Sequence, residues 1–102
     1  MGLCDWFKPC RNDVEQVIGG LRYNTKISKL IQERDNGFWY KRIYKTPNGR
    51  YFLATWSCSP VPDIDVFTER GAMDWYFAPP RGFKVTSYTS SEEAFGKEIK
   101  DA

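Results

Sequence analysis

The sequence predicts an α+β fold: an antiparallel sheet of about four to five strands built on a central hairpin, with two short helices packed on one face. Three observations carry this. Residues 38–45, rich in aromatic and β-branched side chains, lead through Thr46-Pro47-Asn48-Gly49 into a second such run at 50–57. Ile27, Leu30 and Ile31 fall at the i, i+3, i+4 spacing of a helix face. Ser90 and Glu93 stand three apart ahead of Ala94 and Phe95, the grammar of a helix start. At 102 residues, 41% hydrophobic and 17% aromatic, the chain has material for one core, so a single domain over 1–102 is expected.

Residues 1–13 mix Trp6, Phe7, Pro9, Cys4 and Cys10 without a period and read as a loosely ordered lead-in. Residues 14–18 carry two readings. Val14, Val17 and Ile18 suit a helix behind Asn12, whereas a short β-branched run before Gly19-Gly20 suits a strand. Residues 25–34 are expected to be an amphipathic helix, with Thr25 as its cap and Asp35-Asn36-Gly37 as its stop.

In the central hairpin, proline presets the second turn position, Asn suits the third, and Gly supplies a positive φ. Pairing Thr46 with Arg50 sets the register. Tyr40, Arg42 and Tyr44 then face Trp56, Ala54 and Phe52, while Lys41, Ile43 and Lys45 face Thr55, Leu53 and Tyr51 on the other side. Residues 58–72 read as an excursion loop, since Pro60 and Pro62 cannot donate to a ladder, with a short edge strand near 64–67. Strands are expected at 73–77, ended by Pro79-Pro80, and at 83–88. A capped helix closes the chain, with Ala94, Phe95 and Ile99 on one side and Gly96 weakening it by about 1 kcal/mol.

Lys and Arg total 15 against 13 Asp and Glu, a formal charge of +2. That balance fits neither an acidic nucleic-acid mimic nor a basic nucleic-acid coat. With no histidine in the chain, the commonest general base and zinc ligand is missing. Cys4, Cys10 and Cys58 are odd in number and too widely spaced for a zinc site, so reduced thiols are expected. The acids Asp63, Asp65, Glu69 and Asp74 match no calcium loop, and Gly19-Gly20 lacks the Gly-Lys-Ser/Thr of a phosphate cradle. No apolar run reaches the roughly 18 residues of a membrane span, and the first residues lack the basic-then-apolar order of a secretion signal. No catalytic residue, metal or cofactor is therefore expected, and a cytoplasmic setting is.

Two aromatic clusters are the candidate binding residues. Tyr40, Arg42 and Tyr44, beside Phe52 and Trp56, form either a stacking platform for a partner or the sheet's own core. Trp75, Tyr76 and Phe77, followed by Ala78-Pro79-Pro80-Arg81, offer aromatics and a cation beside a stiff extended segment. As an alternating strand, at least one of the three would be buried. Both clusters suit a protein partner, and the basic, aromatic hairpin alternatively suits single-stranded nucleic acid.

The blocks Val17-Ile18-Gly19-Gly20-Leu21-Arg22-Tyr23-Asn24-Thr25, Leu30-Ile31, Asp35-Asn36-Gly37, Ile43-Tyr44-Lys45-Thr46, Gly49-Arg50-Tyr51-Phe52-Leu53 and Thr89-Ser90-Ser91-Glu92-Glu93-Ala94 carry a resemblance. Over roughly residues 17–57 and 83–100 the chain resembles a group of small accessory proteins of phages, conjugative elements and their bacterial or archaeal hosts. The resemblance implies a strand at 14–18, leading through a glycine bend to a Tyr-x-Thr helix start. No reaction is established for the group. Residues 1–13 and 57–81 depart from its pattern, and such insertions are where a distinct partner surface can lie. The context implies a non-enzymatic protein that binds a macromolecular partner, such as a host defence complex, in the manner of anti-CRISPR proteins.

Overall fold

The computed structural model describes residues 13–57 and 61–96. The expected lead-in apart from Asp13, the three cysteines, and Ile99 of the closing helix lie outside the described residues. In chain order the elements are β1 (Glu15–Ile18), β2 (Leu21–Asn24), β3 (Lys29–Asp35), β4 (Tyr40–Lys45), β5 (Tyr51–Trp56), β6 (Asp63–Phe67), α1 (Glu69–Phe77), β7 (Lys84–Tyr88) and α2 (Ser91–Phe95). The fold is α+β. Five strands form one antiparallel sheet in the order β6-β5-β4-β3-β7, and β1 pairs with β2 in a separate two-stranded sheet.

Turn chemistry accounts for both tight hairpins. Gly19 and Gly20 have φ of 60° and 80°, so β1 and β2 close through a two-residue turn that needs positive φ at both positions. Between β4 and β5, Thr46 N–H donates to the Arg50 carbonyl at 2.7 Å, Gly49 N–H donates to the Thr46 carbonyl at 2.9 Å, and Gly49 takes φ of 82°. The ladder that follows pairs Tyr40 with Trp56, Arg42 with Ala54, and Tyr44 with Phe52.

Apolar layers cover both faces of the large sheet. On one face Ile31, Ile43, Tyr51 and Leu53 pack with Ala72 of α1 and with Ala94 and Phe95 of α2. On the other face Tyr40, Tyr44, Phe52, Ala54 and Trp56 pack with Tyr23 of β2, and Ile18 of β1 lies against them. The Phe52 ring, wholly buried, stacks on Tyr44 at 5.2 Å and meets Tyr23 edge-on at 5.5 Å. Among the described residues no buried side-chain nitrogen or oxygen lacks a hydrogen-bond partner.

Two expected elements are corrected. Residues 25–34 are not a helix: a turn through Thr25 to Ser28 leads into β3. The Thr25 hydroxyl ties the strand layer instead of capping a helix, accepting from Val14 N–H at 2.9 Å and donating to Asp13 at 3.0 Å. A bulge leaves Ile31 as the extra residue between the Leu30–Tyr44 and Gln32–Ile43 pairs. Leu30 packs on the β1–β2 side and Ile31 on the helix side, so two adjacent apolar residues that serve opposite faces imitate a helical period. Residues 73–77 are not a strand but the end of α1. Its N-cap Thr68 accepts from Gly71 N–H at 3.0 Å, Glu69 suits the first turn, and Ala72, Met73, Trp75 and Tyr76 present a helical face to the core.

β6 is the edge strand expected near 64–67, and β7 forms the opposite edge against β3. A second bulge leaves Thr86 as the extra residue of β7, between the Glu33–Ser87 and Arg34–Val85 pairs. α2 starts at the Ser90 cap, which accepts from Glu93 N–H at 3.3 Å. The Glu93 carboxylate pairs with Lys29 at 3.2 Å. Neither described helix is long and apolar enough to cross a membrane.

Candidate binding surface

The two predicted clusters lie on opposite faces of the large sheet. Tyr40 and Tyr44 are 3% and 4% exposed in the layer beneath β1 and β2, so their rings serve the core and present no platform. Arg42 is half-buried on the same face. Its guanidinium pairs with Glu33, lies 5.4 Å from the Trp56 ring, and donates to the Tyr44 hydroxyl at 3.3 Å. Burial alone would lower the Arg42 pKa, but the bonds to Tyr44 and Glu33 outweigh it and raise the value. Burial pushes the Tyr44 phenol up. Glu33 also accepts from the Thr86 hydroxyl at 2.7 Å. Both oxygens of this buried carboxylate are thus engaged, one by Arg42 and one by Thr86.

Trp75 and Tyr76 are half-buried against the helix-side core. The Tyr76 hydroxyl donates to the Thr89 carbonyl at 2.7 Å, and its ring meets Phe95 edge-on. Arg34, reaching across from β3, fixes the end of α1. It donates to the carbonyls of Trp75 at 2.7 Å, Tyr76 at 3.3 Å and Ala78 at 2.9 Å, and stacks on the Trp75 ring at 4.1 Å. Gln32 orients it by accepting from Nε at 2.6 Å. The last turn of α1 holds no basic residue of its own, so the cation that suits a helix C-terminus comes from the sheet. Desolvation lowers the Arg34 pKa.

That clamp ties Ala78 to β3 near its end, and Phe77 before it and Arg81 in the following loop are both exposed. Asp35 pairs with Tyr40 on one side and with Lys84 on the other, so the 36–39 turn and the 79–83 loop are neighbours. The turn is held by Asn36, whose side chain accepts from Phe38 N–H at 2.9 Å and Trp39 N–H at 2.7 Å, and by Asp35, which accepts from Gly37 N–H at 2.6 Å. Phe38 is left 74% exposed and Trp39 47%. Beside them lies a cleft of about 350 Å³ lined by Asp35, Asn36, Gly37, Gly82, Lys84 and Thr86.

Phe38 and Trp39 were not among the sequence-predicted site residues. The available signal was an Asp-Asn-Gly turn followed at once by two large aromatics, with no intervening residue to turn them back toward the sheet. Of the predicted residues, Phe77 and Arg81 stay exposed, as do the unpredicted Phe38 and Trp39. The structure leaves Tyr40 and Tyr44 in the opposite core. Among the described residues no three acidic or thiol side chains stand close enough to share a metal ion.

Comparison with protein-family models, curated proteins and solved structures finds no match to this chain.

Proposed function

We propose that this chain is a small non-enzymatic accessory protein that binds a protein partner through the end carrying Phe38, Trp39, Phe77 and Arg81. The observation that carries the reading is the exposure of Phe38 and Trp39 on a turn whose backbone is locked by Asn36. Large aromatics cost less conformational entropy to immobilise than long flexible side chains, and a pre-ordered turn removes part of the ordering cost of association. Such residues concentrate binding energy at interfaces. The resemblance set out from the sequence supports a phage or mobile-element origin, with a host defence component as the partner.

Single-stranded nucleic acid is the competing ligand. Its expected platform on Tyr40, Arg42 and Tyr44 lies within a core, which weighs for the protein partner.

The test is affinity capture from host lysate with the intact chain and with a Phe38→Ser, Trp39→Ser double variant, followed by titration of the purified captured protein. The expected result is a loss of about thirtyfold or more in affinity, the scale of an interface hot spot, with unchanged thermal stability. Equal binding by the variant refutes the reading. So does salt-dependent binding of oligothymidylate in place of any protein.

A further inference from the structure

We infer that the partner segment received at this end is acidic, with carboxylates set among apolar residues. This rests on the aromatic-end reading above and adds the chemistry of the partner. Ion pairs in the described residues occupy Arg22, Lys29, Arg42 and Arg70. Lys41, Arg81 and Lys84, which border the aromatic turn, take part in none of them. The Lys41 ammonium instead stands 5.2 Å from the Phe83 ring, directly before β7. Lys84 faces Asp35 across the ladder, but that carboxylate is turned onto Gly37 N–H.

Among the described residues, the acid toward the far edge of the sheet at this end is Asp63, at the start of β6. It is two strand spacings from β4, which Trp39 enters, roughly 10 Å at about 4.8 Å per strand, beyond one Debye length at physiological salt. Among the described residues, Lys41, Arg81 and Lys84 against Asp35 leave the charge along the chain around Phe38 and Trp39 net positive. An oligonucleotide carries a charge at every residue and calls for a continuous basic track. Here the cations are discrete: Lys84 shares the cleft with Asp35, Lys41 follows the aromatic turn on β4, and Arg81 stands in the loop before β7, which fits separate carboxylates spaced by apolar anchors.

The experiment follows backbone amide shifts of the intact chain during titration with three soluble peptides of one length and one leucine pattern. Their remaining positions are Glu, Gln or Lys, and oligothymidylate is a fourth probe. The expected result is binding of the Glu peptide alone, with shifts at Phe38, Trp39 and Lys84, and affinity about tenfold weaker in an Arg81→Gln, Lys84→Gln variant. Both substituted residues are exposed, so the fold is kept.

Equal binding of the Gln or Lys peptide overturns the charge assignment while leaving the aromatic reading standing. Tighter binding of oligothymidylate overturns it in favour of nucleic acid. An absence of any shift at this end also overturns it. The aromatic reading itself fails separately, through unchanged capture by the Phe38→Ser, Trp39→Ser variant.

Discussion

Replacing Arg34 with Met removes the donor group from the carbonyls of Trp75, Tyr76 and Ala78 and from Gln32 Oε1 while keeping most of the side-chain volume. Arg34 is only 6% exposed, so water does not readily replace it. A hydrogen bond from a charged donor contributes roughly 1.5–3 kcal/mol, and of the three bonds to carbonyls the two short ones, at 2.7 and 2.9 Å, dominate. Stacking on Trp75 adds about 0.5–2 kcal/mol, part of which the Met side chain recovers by its own burial. The expected net loss is about 3 kcal/mol, a fall of roughly 12–24 °C in Tm for a domain of this size. Arg34→Lys keeps the charge but not the fork, and should recover about half of the loss. Urea and thermal unfolding followed by far-ultraviolet circular dichroism measure both variants. A loss below about 1 kcal/mol for Arg34→Met would refute the claim that the sheet supplies the helix's missing terminal cation.

Burial raises the pKa values of Tyr44, Tyr51 and Tyr76 above the ordinary phenol value of about 10. The folded state then holds protons that the unfolded chain releases. This contribution to stability is fully present below pH 10 or so and is lost as pH rises through the folded values, which unfolding and phenolate absorbance followed together across alkaline pH will show. Phe52→Ala, at a wholly buried ring between Tyr23 and Tyr44, should cost about 3–5 kcal/mol in denaturant unfolding. Trp39→Ala, at the exposed turn, should stay within about 0.5 kcal/mol in the same assay. Gly20→Ala meets no atom within 4 Å, yet should cost about 1–2 kcal/mol because φ of 80° is unfavourable for an L side chain, with Gly20→Asn costing less.

The hairpin of β4 and β5 was legible because its turn residues specify conformation locally and the pairing then counts outward from Thr46 and Arg50. β6, β7 and the start of α2 were legible for similar reasons: proline punctuation, alternation and a cap. β3 was not, because it is covered on both faces, as β5 is, but lacks a specifying turn from which its pairing could be counted. Ile31, Gln32, Glu33 and Arg34 are all buried in succession, and the polar ones are satisfied by partners distant in sequence, such as Tyr76 and Arg42. Such a strand has no alternation to read, and adjacent Leu30 and Ile31, packed on opposite faces, supplied a false helical period. α1 was hidden by the opposite confusion. Trp75-Tyr76-Phe77 has strand composition, Gly71 weakens helix propensity, and the stabilising cation sits on another element. The candidate surface inherited both errors. Tyr40 and Tyr44 became core once β1 and β2 supplied a second layer, and Phe38 and Trp39 were read into a strand that begins only at Tyr40.

The extra residue at Thr86 also governs whether the sheet can grow. Thr89 N–H donates to the Ile31 carbonyl, so by alternation Tyr88 turns its amide outward; past the bulge, Val85 opposite Arg34 does the same. The outward groups on this rim are thus three residues apart instead of two. A strand from another molecule that fell into step at Tyr88 would be out of phase by Val85, and Asp63 and Asp65 put two negative charges along the far rim. Both rims thus disfavour the edge-to-edge addition of a further strand.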